Sequence, residues 1–344
     1  MTDHPAPEQL RSYLWDELPP VDDARVAAHL RRCPTCSGAA DRLAAAGQEA
    51  APVARAGVPD GLVKSLYAMG DGRPTGGPGP DTFPVAVSGY DIIRTLPAGG
   101  YDRAFEARDR LTGAPVAVTF VALRRFADLK RATLFYRSLR ATGRAVRRVR
   151  AADPVATPTL SRVIEVGAAS GWCFLCTEWA NAETLSARDR PAGDIAEAVR
   201  GLAAVARAVH ALHTLPAHDG GGVVHGAIHP GNILLTAEGP RLTGYGLSYL
   251  SYASCESGTL FAPAPLAPEL AESDRPLAPA ADVFGLGLVL RSSVVGRADE
   301  GSPSPTWVEA AQKIWERCTA PDPAARYASA ACLADALTAL AGRR

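Results

Sequence analysis

Leucines four residues apart open the chain. In PEQLRSYLWDEL, Leu10, Leu14 and Leu18 share one side of a helix, and Pro7 suits its first turn. VDDARVAAHLRRC repeats the pattern with Val26, Leu30 and Cys33, behind acids placed where they favour a helix start. A third helix is expected from Pro34, carrying Leu43. The period then stops. Roughly residues 51–88, with DGRPTGGPGPDTFP, have the Gly and Pro density of a linker, interrupted by a short helix around GLVKSLYAM. From about residue 89, alternation takes over. GYDIIRTL, DRAFEARD and APVAVTFVAL predict three strands around a Gly-Gly turn and an LTG turn. After Asp194 the helical period returns, with Ile195, Val199, Leu202, Val205, Val209 and Leu212 on one stripe. ADVFGLGLVL is apolar on nearly every side and predicts a buried helix, and ASAACLADALTALA predicts the last one. Strands first and helices after predict an α+β fold of two lobes, about 89–180 and about 181–344, behind a small all-α unit over residues 1–50.

Composition narrows the function classes. Of 344 residues, 47% are apolar and 21% charged, enough for a sizeable core. Lys+Arg and Asp+Glu balance at 36 each, which removes the simple electrostatic case for nucleic acid or an anionic membrane. No apolar run is long enough to span a bilayer, and MTDHPAPEQL lacks the marks of a signal peptide, so a cytoplasmic protein is expected. Seven cysteines, an odd and scattered set, argue against a disulfide framework.

The sharpest chemical signal is His29-Leu-Arg-Arg-Cys33-Pro-Thr-Cys36. On a helix His29 and Cys33 lie one turn apart, and Pro34 breaks that helix so that Cys36 can fold back. Zn²⁺ takes four N/S ligands in a tetrahedron; this spacing supplies three, and His4, at the start of the neighbouring helix, is the expected fourth. A bundle this small gains from a metal staple. The blander reading, ordinary thiols and a surface His, stands beside it. A second CxxC, Cys173 to Cys176, falls in an expected strand, where its thiols point to opposite faces and share no metal. PEQLRSYL followed by AAHLRRCPTCSGAADRL resembles zinc-binding modules of the anti-sigma-factor type. That resemblance places His4 at the family's early Cys-or-His ligand and implies a helical module that often engages a protein partner.

In the longer part, the order of motifs matters more than any one of them. LPAGGYDRAFEA, VAVT, TEWANAETL, VVHGAIHPGNILL, LTGYGLS, LAPEL, ADVFGLGLVL and CTAPDPAARYAS together resemble the bilobal protein kinase fold. The resemblance exposes departures from what phosphoryl transfer needs. Thr119 stands at the strand Lys, and no Glu occurs between Glu106 and Glu165 to partner one. The catalytic loop runs His225-Gly226-Ala227, with Ala227 at the proton-accepting Asp, and Gly244 stands at the metal-binding Asp. Gly99 of the Gly-rich loop, Asn232, and the hinge pair Glu178 and Trp179 would be the remaining nucleotide contacts, without strong affinity for ATP or Mg²⁺. His225 and His229 are expected to be structural or solvent-facing. Glu269, Arg326 and Asp282 match residues that hold the family's fold: the first two as an ion pair, the third beneath the catalytic loop.

The leading expectation is therefore a catalytically inactive serine/threonine kinase-like protein (a pseudokinase) that signals or scaffolds through a protein partner. The alternatives are a divergent ATP-dependent kinase drawing on Asp102 or Glu106, and a zinc- or redox-responsive regulator of a sigma-like transcription partner.

Overall fold

The computed structural model describes residues 4–14, 18, 20–45, 89–96, 103–122, 129–152, 158–169, 172–186, 195–215, 222–245, 267–270, 277–295 and 304–343. The expected linker over 51–88 and its short helix lie outside the described residues.

Three helices come first: α1 (Pro7–Leu14), α2 (Pro20–Arg32) and α3 (Pro34–Ala45). Each starts at a proline, whose fixed φ fits a first turn and whose absent N–H has no helical partner to lose. Pro34 also ends α2, leaving Cys33 at the corner. Leu10, Val26, Leu30, Cys36 and Ala40 form the small core between them. His4 precedes α1 instead of beginning it.

The next unit is an antiparallel sheet of β1 (Tyr90–Thr95), β2 (Arg103–Asp109), β3 (Pro115–Ala122), β4 (Val163–Ala169) and β5 (Trp172–Glu178) in the order β1-β2-β3-β5-β4. Alternation sorts its side chains. Val116, Val118 and Phe120 join Tyr90, Phe105, Ala107, Phe174 and Cys176 on one face. Val121, Cys173 and Leu175 enter the main core on the other. Cys173 and Cys176 thus lie in separate clusters, and burial pushes both thiols well above their ordinary range. Helix α4 (Leu129–Ala152), between β3 and β4, buries Phe135, Leu139, Val146 and Val149 in the main core, and it contains no acid.

The same core runs on into the helical lobe. The buried stripe of α5 (Ile195–Thr214), comprising Val199, Leu202, Val205, Val209 and Leu212, packs with α6 (Pro279–Val295), α7 (Pro305–Cys318) and α8 (Ala330–Ala341). A second, three-stranded sheet of β6 (Glu183–Thr184), β7 (Ile233–Thr236) and β8 (Gly239–Leu242) sits at the boundary between the lobes. Helix α6 is buried almost all round, and Gly285 lets its backbone approach the carbonyl of Ile228, where a Cβ would collide. Among the described residues no helix is long and apolar enough to cross a membrane.

Glu269, in the 3₁₀ turn Pro268–Leu270, meets Arg326 side-on. Nη1 donates to Oε1 at 2.6 Å and Nη2 to Oε2 at 2.7 Å. Arg326 also donates to the carbonyls of Ala320 and Ala280 and lies over the Phe284 ring. Every strong donor direction is used, which offsets the desolvation of a fully buried guanidinium. Glu269→Ala is therefore expected to destabilise the fold by about 3–5 kcal/mol, because the guanidinium is left buried and uncompensated. Differential scanning calorimetry checks it, and a melting temperature equal to wild type contradicts it.

Candidate functional site

Two places concentrate chemistry. The first is at the N-terminal helices. His29, in the last turn of α2, Cys33 at the corner and Cys36 in the first turn of α3 converge with His4, and their ligand atoms all lie within 4.8 Å of one another. His4 Nδ1 is 3.3 Å from His29 Nε2, 3.2 Å from Cys36 Sγ and 3.5 Å from Cys33 Sγ. A tetrahedral ion with bonds of about 2.0–2.3 Å has ligand–ligand edges of about 3.3–3.8 Å, and these separations sit close to that range. The Cys36 N–H points at Cys33 Sγ, 3.5 Å away, and lowers that thiol toward the ligating thiolate form, while burial raises Cys36. Two imidazoles and two sulfurs in this arrangement can hold a metal ion.

The second place is the loop from Val223 to Leu235. Asp282 of α6 lies beneath it, fully buried, and accepts the N–H of His225 at 2.7 Å and of Gly226 at 2.8 Å. His213 Nε2, from α5, is 2.8 Å from the same carboxylate. The His225 ring takes the Ala227 N–H on Nδ1 and faces the Thr243 carbonyl with Nε2, which fixes a neutral ring with its proton on Nε2. His229 accepts the Gly231 N–H on Nδ1 and caps the turn Pro230–Asn232. Both rings are buried, so neither is solvent-facing.

Beyond the loop, Asn232 Nδ2 donates to the Ala227 carbonyl at 2.8 Å, and the Asn232 carbonyl accepts the Thr243 N–H. Gly244 follows with φ +73°, and a Cβ there would overlap the Asn232 side chain. Tyr245 is fully buried, with its ring centroid 5.3 Å from that of His225. Its hydroxyl lies 2.7 Å from the Ser161 carbonyl and 2.9 Å from that of Leu242. Burial raises the phenol far beyond its ordinary range. A buried tyrosine needs such an acceptor, and between Gly244 and Gly246 no apolar pattern marks this residue from sequence.

In the five-stranded sheet, Thr119 of β3 lies opposite Ala104 and Leu175, half-buried, on the face shared with Glu106 of β2. Glu106 is paired with Arg94 at 2.7 Å. At the end of β5 the Glu178 carboxylate accepts the Arg162 N–H and meets Arg241 at 3.1 Å and Arg150 at 3.5 Å, while Trp179 lies under Arg94. Gly99 and Asp102 lie outside the described residues. The structure thus brings Ala227, Asn232 and Gly244 together at one corner, and keeps the hinge acid occupied by arginines.

Burial, with His225 nearby, pulls His229 down to about 4, and burial lowers His225 as well. The unfolded rings take up protons near pH 6.5, before the folded ones do. Their contribution to stability is therefore fully present above about pH 6.5 and is lost as the pH falls toward 4. Melting temperatures at pH 7 and pH 5 should differ less in His229→Gln than in wild type; an equal difference contradicts this assignment.

The protein kinase domain model matches residues 90–299. Serine/threonine-protein kinase AfsK of Streptomyces coelicolor is 29% identical over 221 residues, covering 62% of this chain and 25% of that protein. Serine/threonine-protein kinase PknK of Mycobacterium tuberculosis is 30% identical over 220 residues, covering 61% of this chain and 18% of its own. The chain therefore spans a quarter or less of the length of these relatives. The crystal structure of the Mycobacterium tuberculosis PknI kinase domain superposes with a TM-score of 0.55 at 18% identity, covering 74% of this chain and 97% of that one, a likeness of fold. With the family match lying over more than half of its length and both lobes in place, this chain belongs to the protein kinase domain family.

Proposed function

We propose that this chain is a kinase-fold signalling protein that does not transfer phosphate, carrying a zinc-binding helical module that engages a protein partner. The observation that carries the reading is the corner of Gly244, Asn232 and Ala227. Phosphoryl transfer needs a carboxylate on the metal ion and another near the attacking hydroxyl. Here one position is a glycine whose Cβ would overlap Asn232, and the other is an alanine whose carbonyl already holds the Asn232 amide. Thr119 supplies no cation for the phosphates. Such losses act as a unit, so repairing one is not expected to restore the rate.

In the module, the donor set of His4, His29, Cys33 and Cys36 suits Zn²⁺, a borderline-soft ion that takes N and S ligands in a tetrahedron. Zinc there supplies cohesion to a bundle whose core, among the described residues, is a small cluster around Leu10, Val26 and Leu30. Metal analysis of purified chain should give close to one zinc per chain, and Cys33→Ser with Cys36→Ser should lose it; folded wild type without metal sinks the assignment. The resemblance to anti-sigma modules supports a sigma-like protein as one class of partner.

The relatives favour a second reading, because AfsK and PknK are named as serine/threonine kinases. A divergent enzyme would need a displaced carboxylate. Glu106 shares a sheet face with Thr119 but is paired with Arg94, and Asp102 lies outside the described residues. A radiolabelled-ATP assay with Mg²⁺ or Mn²⁺ separates the readings. No γ-phosphate transfer to the chain itself or to a generic substrate is expected, from wild type, Thr119→Lys or Gly244→Asp. Turnover by wild type that vanishes in Glu106→Gln or Asp102→Asn establishes the divergent enzyme instead.

A further inference from the structure

In a kinase, the helix between β3 and β4 is held from inside the cleft by an ion pair to the strand lysine. Here α4 contains no acid and β3 presents Thr119, so that hold is absent. The same helix is held from outside. Helix α3 of the N-terminal unit packs along α4. The Tyr13 ring of α1 lies 5.9 Å from the guanidinium of Arg147, which donates to the carbonyls of Val163 and Ile164 in β4. Arg162, just before β4, donates to Ser37 Oγ of α3 at 2.6 Å.

Arg31 ties the same N-terminal unit to strands β1, β2 and β4, of which β4 packs on α4. It lies on the last turn of α2, between the candidate metal ligands His29 and Cys33. Its side chain is only 10% exposed and is paired with Glu165; Nε is 3.6 Å from Asp109 Oδ2, and the guanidinium lies over the Tyr90 ring. The Tyr90 hydroxyl donates to the same Glu165 oxygen at 2.6 Å. A register shift in β4 makes this possible. Val163 pairs with Thr177, yet Glu165 pairs with Cys176, so one extra residue turns Glu165 onto the face where Tyr90 lies.

We propose that the metal-binding helices are an outside brace for α4, and that metal occupancy sets how firmly α4 is held. The proposal rests on the zinc reading above. Pinning His4, the end of α2 and the start of α3 to one ion fixes the turn that carries Arg31. Without the ion, among the described residues that turn rests on the small core of Leu10, Val26, Leu30, Cys36 and Ala40 and on its contacts to the larger unit. Loosening it withdraws the cation from two poorly exposed carboxylates and removes the surface along which α3 covers α4.

Amide hydrogen exchange by mass spectrometry on the full chain, with zinc content measured in parallel, tests this. Stripping zinc with a chelator should speed exchange in peptides covering residues 135–150 and 163–169 by about tenfold or more. Arg31→Ala should speed the same peptides while zinc stays near one per chain, and by linkage should weaken zinc binding. Glu165→Gln, which leaves the metal-binding helices untouched, should do likewise and serves if Arg31→Ala releases the metal. Zinc bound, with α4 exchange unchanged on stripping and in both variants, overturns the brace and leaves the metal site standing. A chain that binds no zinc overturns the metal reading and the brace together.

Discussion

Asp282 sets the geometry from which the centre of the molecule is built. A buried carboxylate survives only where strong donors surround it, and here two consecutive backbone N–H groups and the His213 ring do so. Holding His225 and Gly226 in place positions the Ala227 carbonyl, which orients the Asn232 amide. The Asn232 carbonyl then receives the Thr243 N–H and leads the chain into Gly244 and Tyr245, whose ring returns to His225. Every link uses backbone groups or neutral side chains after the first. What the loop asks of residue 227 is one N–H and one carbonyl, and alanine supplies both. The architecture of a catalytic loop is thus separable from its charges.

That separation explains what was readable in the sequence. The stripe on α5 and the apolar run of α6 were legible because burial on one face, or on all faces, leaves a period. The convergence of His29, Cys33 and Cys36 was legible because it is set within one helix turn and a proline corner. His4 lies 25 residues from His29 and was placed by its position before the neighbouring helix and by resemblance, not by ligand spacing. Helix α4 was not named from its pattern, although Phe135, Leu139, Val146 and Val149 recur at helical spacing among its arginines. Nor was α7. The pairing of Arg31 with Glu165 spans 134 residues and depends on an irregular register in β4, so no local pattern carries it. The same holds for Asn232 against Gly244, where only the backbone conformation shows that a side chain would not fit.

The two units stand on different footings. The large one runs its main core through both lobes, and its buried ions, Asp282 and Arg326, are surrounded by partners. The small one, among the described residues, buries Leu10, Val26, Leu30, Cys36 and Ala40, with a group of four possible ligand atoms at its corner. Their contact is polar and cation-rich, with Arg31, Arg147 and Arg162 crossing it.

The Tyr245 hydroxyl has a consequence for ligands. Swinging the ring outward would strand the carbonyl of Ser161 in an apolar interior, while the Leu242 carbonyl would keep the Ser161 N–H. A compound that gains affinity by wedging into space vacated by this ring would have to offset that stranded carbonyl from its own contacts. Displacing this ring is therefore opposed by a hydrogen bond as well as by bulk.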